Sequence, residues 1–456
     1  MASTTAEGSQ ASGRGERVLQ AYLVRIANGT QPLVASERYA LGGLDIVLFG
    51  RGPLGTERSG AAGETVLRIT EPDVRVSTTH ARLRRVLGRW LLEDLDSKNG
   101  TWVGGTRIQS VAIRDDEIIE LGRTFYLFRD GVDAQPDDAL DFAAEGHLVA
   151  GMATLSLPLW RDLRALAAVA RSSVSVVIVG ETGTGKEVVA RAVHTISGRA
   201  GPFVAVNCGA IPDALVASEL FGVRRGAYSD AKEDRPGLIR SAHKGTLFLD
   251  EIGDLRVDIQ PAFLRALQER EVVPVGQASA IPVDIRVISA THRHLDKLVA
   301  AGVFREDLWA RLAGFTASLP PLRARREDLG ILIAAIVRRH ARAPEQVTFH
   351  PDALRALLLW AWPRNIRELE KRVEAALALA ADGHIERRHL GDLGAVAPVP
   401  AGALSPADDV RRTELERLLD EHRGNLAAVA RALGKDRVQV RRWLARYGLN
   451  AATFKH

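Results

Sequence analysis

Between residues 17 and 129, short apolar stretches alternate with polar turn clusters. Ala21–Ile26, Thr65–Ile69, His80–Val86, Trp90–Leu95 and Glu117–Phe128 read as strands, separated by turns such as Asp96–Gly100 and Gly104–Thr106. Many short strands at this spacing predict an all-β sandwich. From about 147 to 392 the pattern changes. Apolar runs at Val174–Val179, Phe203–Val206, Thr246–Leu249 and Ile285–Ser289 alternate with stretches of helical period. That alternation predicts an α/β domain with a parallel sheet under covering helices. Beyond about 410 only helical periodicity remains. Asn425 is placed to cap a helix over Leu426–Leu433, Gly434 breaks it, and Asp436 can cap a second over Arg437–Tyr447. Val440, Trp443, Leu444 and Tyr447 then share one buried face of an all-α helix-turn-helix.

Composition marks the boundaries. Residues 1–16 form a small, polar leader, 130–146 an acidic, turn-prone linker, and 393–408 a Pro/Ala/Gly-rich linker before a module over 409–456. No run approaches 18 apolar residues and the leader has no apolar core, so neither a membrane span nor a secretion signal is expected, and the chain reads as cytoplasmic. A single cysteine, Cys208, excludes an internal disulfide and a cysteine metal cluster, and reads as a small buried hydrophobe. The net charge of +5 is unevenly placed. Residues 410–456 hold 11 Lys/Arg against 5 Asp/Glu, so the basic surplus lies at the C-terminus and points to a polyanion there.

The chemistry is concentrated in two segments of the central domain. The strand Val174–Val179 runs into Gly180-Glu181-Thr182-Gly183-Thr184-Gly185-Lys186, followed by a helical stretch from Glu187. Glycines at that spacing let backbone N–H groups turn inward around phosphate at a helix N-terminus, and Lys186 adds a charge for the β- and γ-phosphates. Glu187 stands where Ser or Thr usually supplies a magnesium ligand. About 65 residues on, Thr246–Leu249 ends in Asp250-Glu251. Asp250 is then placed to hold Mg²⁺ through water and Glu251 to polarise the attacking water. Together the two segments predict an ATPase with ATP and Mg as cofactors.

Residues 147–392 resemble the AAA+ domain of sigma-54-dependent transcription activators. The resemblance rests on G-E-T-G-T-G-K-E at 180–187, V-N-C at 206–208, E-L-F-G at 219–222, G-T-L-F-L-D-E-I at 245–252, L-Q-E-R-E at 267–271, F-R-E-D-L-W-A-R-L at 304–312, L-P-P-L-R at 319–323 and W-P-R-N-I-R-E-L at 362–369. It implies a helical lid from about 325. It also implies a switch role for Asn207, arginine fingers at Arg305 and Arg311 that reach a neighbouring subunit, and a sensor arginine at Arg367. A finger supplied in trans implies a homo-oligomer, up to a ring of six or seven copies. The loop that grips the sigma factor in that family corresponds to Gly226, Ala227, Tyr228, Ser229, Asp230 and Ala231. Here Asp230 replaces a glycine, His292 replaces a sensor asparagine, and Arg364 replaces a turn glycine.

The tail G-N-L-A-A-V-A-R-A-L-G at 424–434 resembles the Fis-type helix-turn-helix, and Arg437, Gln439, Arg441 and Arg442 are its candidate DNA contacts. Residues 20–128 resemble a forkhead-associated (FHA) domain through Gly50-Arg51, Ser77-x-x-His80 and Asp94–Thr101. There Arg51, Ser77, Thr78, Lys98 and Asn99 are candidates for binding a phosphothreonine protein, such as a Ser/Thr kinase. His80 is expected to brace the loop. The resemblances together imply an activator that binds upstream DNA and remodels sigma-54 RNA polymerase. Two alternatives stand beside it: a DNA-bound AAA+ regulator that works without sigma-54, and a phosphopeptide-binding scaffold with a vestigial ATPase.

Overall fold

The structure is a computed structural model that describes residues 18–61, 63–86, 89–134, 141–143, 151–227, 233–393, 415, 417–433, 440, 443–444, 449 and 454. It divides into two compact units, residues 1–394 and 395–456.

The first unit begins with a sandwich of two sheets. Among the described residues one sheet has the order Phe142–Ala143, Glu37–Ala40, Val18–Asn28, Thr124–Ala134, Glu117–Leu121, Thr101–Val103, Thr106–Ile108. The other has the order Ser110–Ala112, Arg89–Asp94, Ala81–Val86, Ile46–Arg51, Glu64–Glu71, Gly55–Ala61. All pairings are antiparallel except Ile46–Arg51 with Glu64–Glu71. Period-2 alternation sends Leu23, Ile119, Leu121, Tyr126 and Phe128 into the sandwich core with Val47, Phe49, Leu83 and Leu92. The apolar stretch Glu117–Phe128, which reads as one strand, is two strands joined at Gly122-Arg123. Apolar residues run up to both sides of that turn, so the pattern hides it.

The opposite face of the same sheet is also apolar, and it is covered. Tyr22, Val24, Ile26, Ile118, Phe125 and Leu127 share one core with Leu322, Leu329, Ile333, Phe349, Leu354 and Leu357 of a helical subdomain. That subdomain is built on the helices Leu329–His340, Pro351–Leu359 and Asn365–Leu379. Burying each such side chain contributes roughly 1.5–3 kcal/mol, so the sandwich and helices share a substantial apolar interface. Gly330 is required at this contact. A methyl group there would overlap the Ile26 carbonyl oxygen. The Phe349 N–H donates to the Gly29 carbonyl at 2.7 Å, and Arg355 forms a bidentate pair with Glu120 at 2.7 and 2.8 Å. Two stretches of the acidic segment over 130–146 belong to this sheet. Residues up to Ala134 extend its strand, and Phe142–Ala143 pairs with Glu37-Arg38.

Between sandwich and helices in the chain lies a parallel sheet, whose five strands among the described residues have the order Phe203–Asn207, Thr246–Asp250, Arg286–Thr291, Val176–Val179, Phe315–Ser318. Its three central strands are buried on both faces, as βαβ crossovers require, while the two edge strands are only partly covered. The order matters for chemistry. The first strand in sequence sits between the fourth and fifth, so the carboxyl ends of Val176–Val179, Thr246–Asp250 and Arg286–Thr291 open onto one edge. Ligands of open α/β sheets bind at such an edge.

The second unit is described only in part. Asn425 caps the helix Leu426–Ala432 by accepting from the Ala427 and Ala428 N–H groups. Leu415, Leu418, Leu419, Val429, Ala430, Val440 and Leu444 form its core. No described helix of the chain is long and apolar enough to cross a membrane.

Candidate active site

The strand Val176–Val179 ends at Gly180, and the helix Lys186–Ser197 begins six residues later. The intervening loop turns through left-handed backbone at Gly183 (φ 82°) and Gly185 (φ 98°). Gly183 is also approached by the Arg364 carbonyl, so a side chain there would collide as well as strain. Lys186 is almost fully buried. Its Nζ donates to the carbonyls of Gly180 (2.9 Å) and Glu181 (3.4 Å), and lies 3.8 Å from Glu251 Oε1.

Asp250 and Glu251 close the other side. Burial raises the Asp250 carboxyl above its ordinary range, and the adjacent Glu251 charge adds to this while Lys186 opposes it. Two neighbouring carboxylates facing one lysine are a site with negative charge in surplus, which suits a divalent cation. Glu251 itself has φ 52°, an uncommon conformation for a non-glycine residue and one that clusters at functional sites. Its Oε2 lies 2.7 Å from His292 Nδ1, just beyond the adjacent strand Arg286–Thr291. Asn207, by contrast, accepts from the Gly209 N–H at 3.0 Å. In this arrangement the carboxylate is held by the histidine at the substituted position.

The helical subdomain forms the roof. A cleft of about 280 Å³ is lined by Thr182, Gly183, Gly185, Lys186, Glu187 and Val188 from the loop and helix, Asp250 and Glu251 from below, and Ile366, Arg367 and Glu370 from above. Asn365 fastens roof to loop. Its Nδ2 donates to Glu181 Oε2 (3.1 Å) and the Thr182 carbonyl (3.0 Å), and its Oδ1 accepts from the Leu322 N–H (2.8 Å). Arg323 adds a bidentate pair to Glu181 at 2.6 and 3.0 Å. That guanidinium, then Asn365, holds the Glu181 carboxyl down to about 2. Arg364 sits at φ −107°, a conformation open to any residue, so no glycine is needed there. Neither Asn365 nor Arg323 is conspicuous in the sequence; both lie inside matched motifs, and only the folded lid shows what they touch.

Arg305 and Arg311 do not line this cleft. Arg305 pairs with Asp307 at 2.7 Å, and Arg311 donates to the Leu267 carbonyl at 3.1 Å. Both are exposed. Of the loop 226–231, Gly226 and Ala227 are described, and Tyr228, Ser229, Asp230 and Ala231 lie outside the described residues. The base of that loop is fastened by bridges from Val223 to Arg235 and Val275. Arg437, Gln439, Arg441 and Arg442 also lie outside the described residues.

A second cluster crowns the sandwich. The Arg51 N–H donates to the Ser77 carbonyl (2.9 Å), which sets Arg51 beside Ser77. Ser77 Oγ accepts from the Lys98 N–H (3.1 Å), and Asn99 Nδ2 donates to the Arg75 carbonyl (2.7 Å). Arg51, Thr78, Lys98 and Asn99 are exposed, and Ser77 is half-buried. Buried His80 braces the group, accepting from the Ser77 N–H and facing the Gly100 carbonyl at 3.3 Å. Burial holds its pKa below the ordinary histidine value, so it is neutral. These contacts bring Arg51, Ser77, Lys98 and Asn99 together at one end of the sandwich, and guanidinium, hydroxyl, ammonium and amide are the groups that bind a phosphate dianion.

Three stretches of the chain match known domains: the Sigma-54 interaction domain over residues 156–318, the AAA+ ATPase lid domain over 323–395, and the FHA domain over 47–122. The chain is 45% identical over 300 residues to the hydrogenase transcriptional regulatory protein HoxA of Cupriavidus necator, a match covering 62% of each. It is 43% identical over 320 residues to the acetoin catabolism regulatory protein of the same organism, covering 67% of this chain and 47% of that protein. The chain thus spans less than two thirds of the length of these two relatives. Against the transcriptional regulatory protein GlrR of Escherichia coli it is 39% identical over 330 residues, covering 70% of this chain and 73% of GlrR. A crystal structure of NtrX from Brucella abortus in complex with ATP is 31% identical, with a TM-score of 0.47, covering 67% of this chain and 70% of that one.

Proposed function

The chain belongs to the family of transcriptional regulators built on a Sigma-54 interaction domain, and on that premise we propose that it is an ATP-hydrolysing activator that remodels sigma-54 RNA polymerase in response to a phosphothreonine protein. The observation that carries this reading is the convergence of Lys186, Asp250 and Glu251 at one sheet edge beneath Arg367. Phosphates would lie against the N–H groups at the start of the helix Lys186–Ser197. Lys186 would exchange its carbonyl partners for phosphate oxygens. Asp250 would hold Mg²⁺ through water, and the ion would supply charge neutralisation for the phosphates. Glu251, aimed by His292, takes the proton of the attacking water. Arg305 and Arg311, exposed and outside their own cleft, would exchange Asp307 and the Leu267 carbonyl for the phosphates in the cleft of a neighbouring copy, which is the physical reason for a ring. The experiment is ATP turnover by the assembled chain; absence of turnover under every ligand and DNA condition removes the motor reading.

His292 provides a sharper check. A hydrogen bond to a charged carboxylate is worth about 1.5–3 kcal/mol, or roughly 10- to 100-fold in an equilibrium. His292→Ala is expected to lower kcat about tenfold at unchanged ATP affinity, whereas His292→Asn retains a donor and stays within about threefold. Equal rates in all three proteins would show that the histidine does not aim Glu251.

The sandwich reads phosphothreonine through Arg51 and Ser77, and the basic tail tethers the ring to upstream DNA through Arg437, Gln439, Arg441 and Arg442. Loop 226–231 engages sigma-54. Arg51→Ala is expected to weaken a phosphothreonine peptide about tenfold or more by calorimetry, with no change in the fold's circular dichroism. Peptide binding that ignores either the phosphate or Arg51 would contradict this. The charge at Asp230 favours one second reading, a regulator working without sigma-54. Failure to bind sigma-54 with a transition-state nucleotide analogue, despite normal ATP turnover, would select it.

A further inference from the structure

One short turn touches both the nucleotide loop and the sandwich. It comprises two single 3₁₀ turns, Leu322–Ala324 and Arg326–Asp328, joined at Arg325. Its side chains divide between loop and sandwich. Arg323 pairs with Glu181, and Arg325 donates to the Thr184 carbonyl at 2.7 Å, both on the nucleotide loop. Arg326 faces the other way and pairs with Asp116 of the sandwich at 2.8 Å. Glu327 lies 3.1 Å from both Tyr22 Oη and Arg129 Nε of the sandwich. Asp328 accepts from the Leu155 N–H (2.7 Å) and Thr154 Oγ1 (2.8 Å), and the Leu155 carbonyl accepts from Arg38 of the sandwich at 2.7 Å.

These groups are buried. Arg325 is 7% exposed, Asp328 1% and Glu327 0%. A buried charge requires its partner, and none of these can turn to solvent instead. A shift of the sandwich would therefore strip Arg129 and Tyr22 from Glu327 and require the turn to reseat. Reseating would move Arg325, whose guanidinium donates to the Thr184 carbonyl beneath the phosphate loop. Arg129 Nε, Arg325 Nε and Glu327 Oε2 are each buried without a hydrogen-bond partner, so Arg129 meets Glu327 as an ion pair only, and full hydrogen bonding does not lock the turn in this one seating.

We propose that Arg325 is a positioning residue for the nucleotide loop, and that its placement is set by the seating of the FHA sandwich on the lid, so that the sandwich tunes ATP affinity from the far side of this turn. The coupling is reciprocal, because any event that reseats the sandwich changes ATP affinity by the factor with which ATP changes the sandwich's seating. This rests on the nucleotide-site reading above.

The test measures a fluorescent ATP analogue with Mg²⁺, and steady-state turnover, on the full chain. Arg325→Met is expected to raise the analogue's Kd and the KM for ATP about tenfold with kcat little changed, and Arg325→Lys to recover part of the loss. Arg129→Leu, on the sandwich and away from the cleft, is expected to raise Kd about fivefold, within the usual range of coupling between sites. The double variant should bind no more weakly than Arg325→Met alone, because both act through one contact chain. Should Arg129→Leu fail to fold, Tyr22→Phe removes only a hydroxyl from Glu327 and should shift Kd in the same direction. Unchanged ATP affinity in the folded sandwich variants, or losses that simply multiply in the double variant, would overturn the proposal while leaving the ATPase standing. A chain that binds no ATP in any form would remove both.

Discussion

Glu251→Gln is expected to bind ATP as tightly as the unaltered chain and to turn it over about 10²- to 10⁴-fold more slowly, the usual contribution of a positioned general base. The amide keeps the shape of the carboxylate and the strained φ of 52°. It also preserves the cleft lined by Lys186, Asp250 and Arg367. What it loses is the ability to accept a proton from water. Removing one of two adjacent negative charges also relieves the repulsion that helps raise the Asp250 carboxyl, so nucleotide affinity should hold or rise slightly. Binding by a fluorescent ATP analogue and turnover by phosphate release separate the two effects. Loss of binding in parallel with turnover would mean that Glu251 supports the cleft rather than the chemistry.

Asn365→Ala should give the largest loss of stability near the site. The side chain is fully buried and makes three hydrogen bonds that join the lid to the loop at Glu181 and Thr182 and to Leu322. Each is worth about 1 kcal/mol. Alanine at φ 57° adds about 1–2 kcal/mol of backbone strain. A total of about 4–5 kcal/mol predicts a fall in Tm of roughly 8 °C or more. The roof residues Ile366 and Arg367 follow Asn365 directly, and the Ile366 N–H donates to the Gly183 carbonyl at 2.9 Å. Loosening this joint should weaken ATP binding about tenfold beyond any global unfolding, measured well below Tm. A variant with unchanged Tm and affinity would show that the three bonds are replaced by water at no cost.

Much of this was legible in the chain. Strand-spaced apolar runs gave the sandwich, alternation with helical stretches gave the parallel sheet, and the glycine-rich loop and the Asp-Glu strand end pointed to Lys186, Asp250 and Glu251, which the fold brings to one cleft. Sheet order was not legible, because period-2 burial is the same wherever a strand lies. Yet that order sets His292 beside Glu251 by placing Arg286–Thr291 between the strands that end at Gly180 and at Asp250-Glu251. The docking of sandwich on lid was also missed, although a signal existed. Tyr22-Leu23-Val24 and Phe125-Tyr126-Leu127-Phe128 are apolar on both faces. A strand of an antiparallel sandwich with one wet face alternates instead, so an unbroken run asks for a cover on each side. The identity of that cover was beyond reach of local pattern, since Tyr22 and Glu327 meet across 305 positions. Charge pairing such as Arg129 with Glu327 leaves no periodic trace.

The most direct measurement of the central claim is open-complex formation by sigma-54 RNA polymerase at a promoter carrying the upstream site, with ATP or a non-hydrolysable analogue. Open complexes should form with the unaltered chain and ATP, and should be absent with the analogue and with Glu251→Gln. Open complexes formed without hydrolysis, or none with ATP from a chain that demonstrably turns it over, would contradict the account.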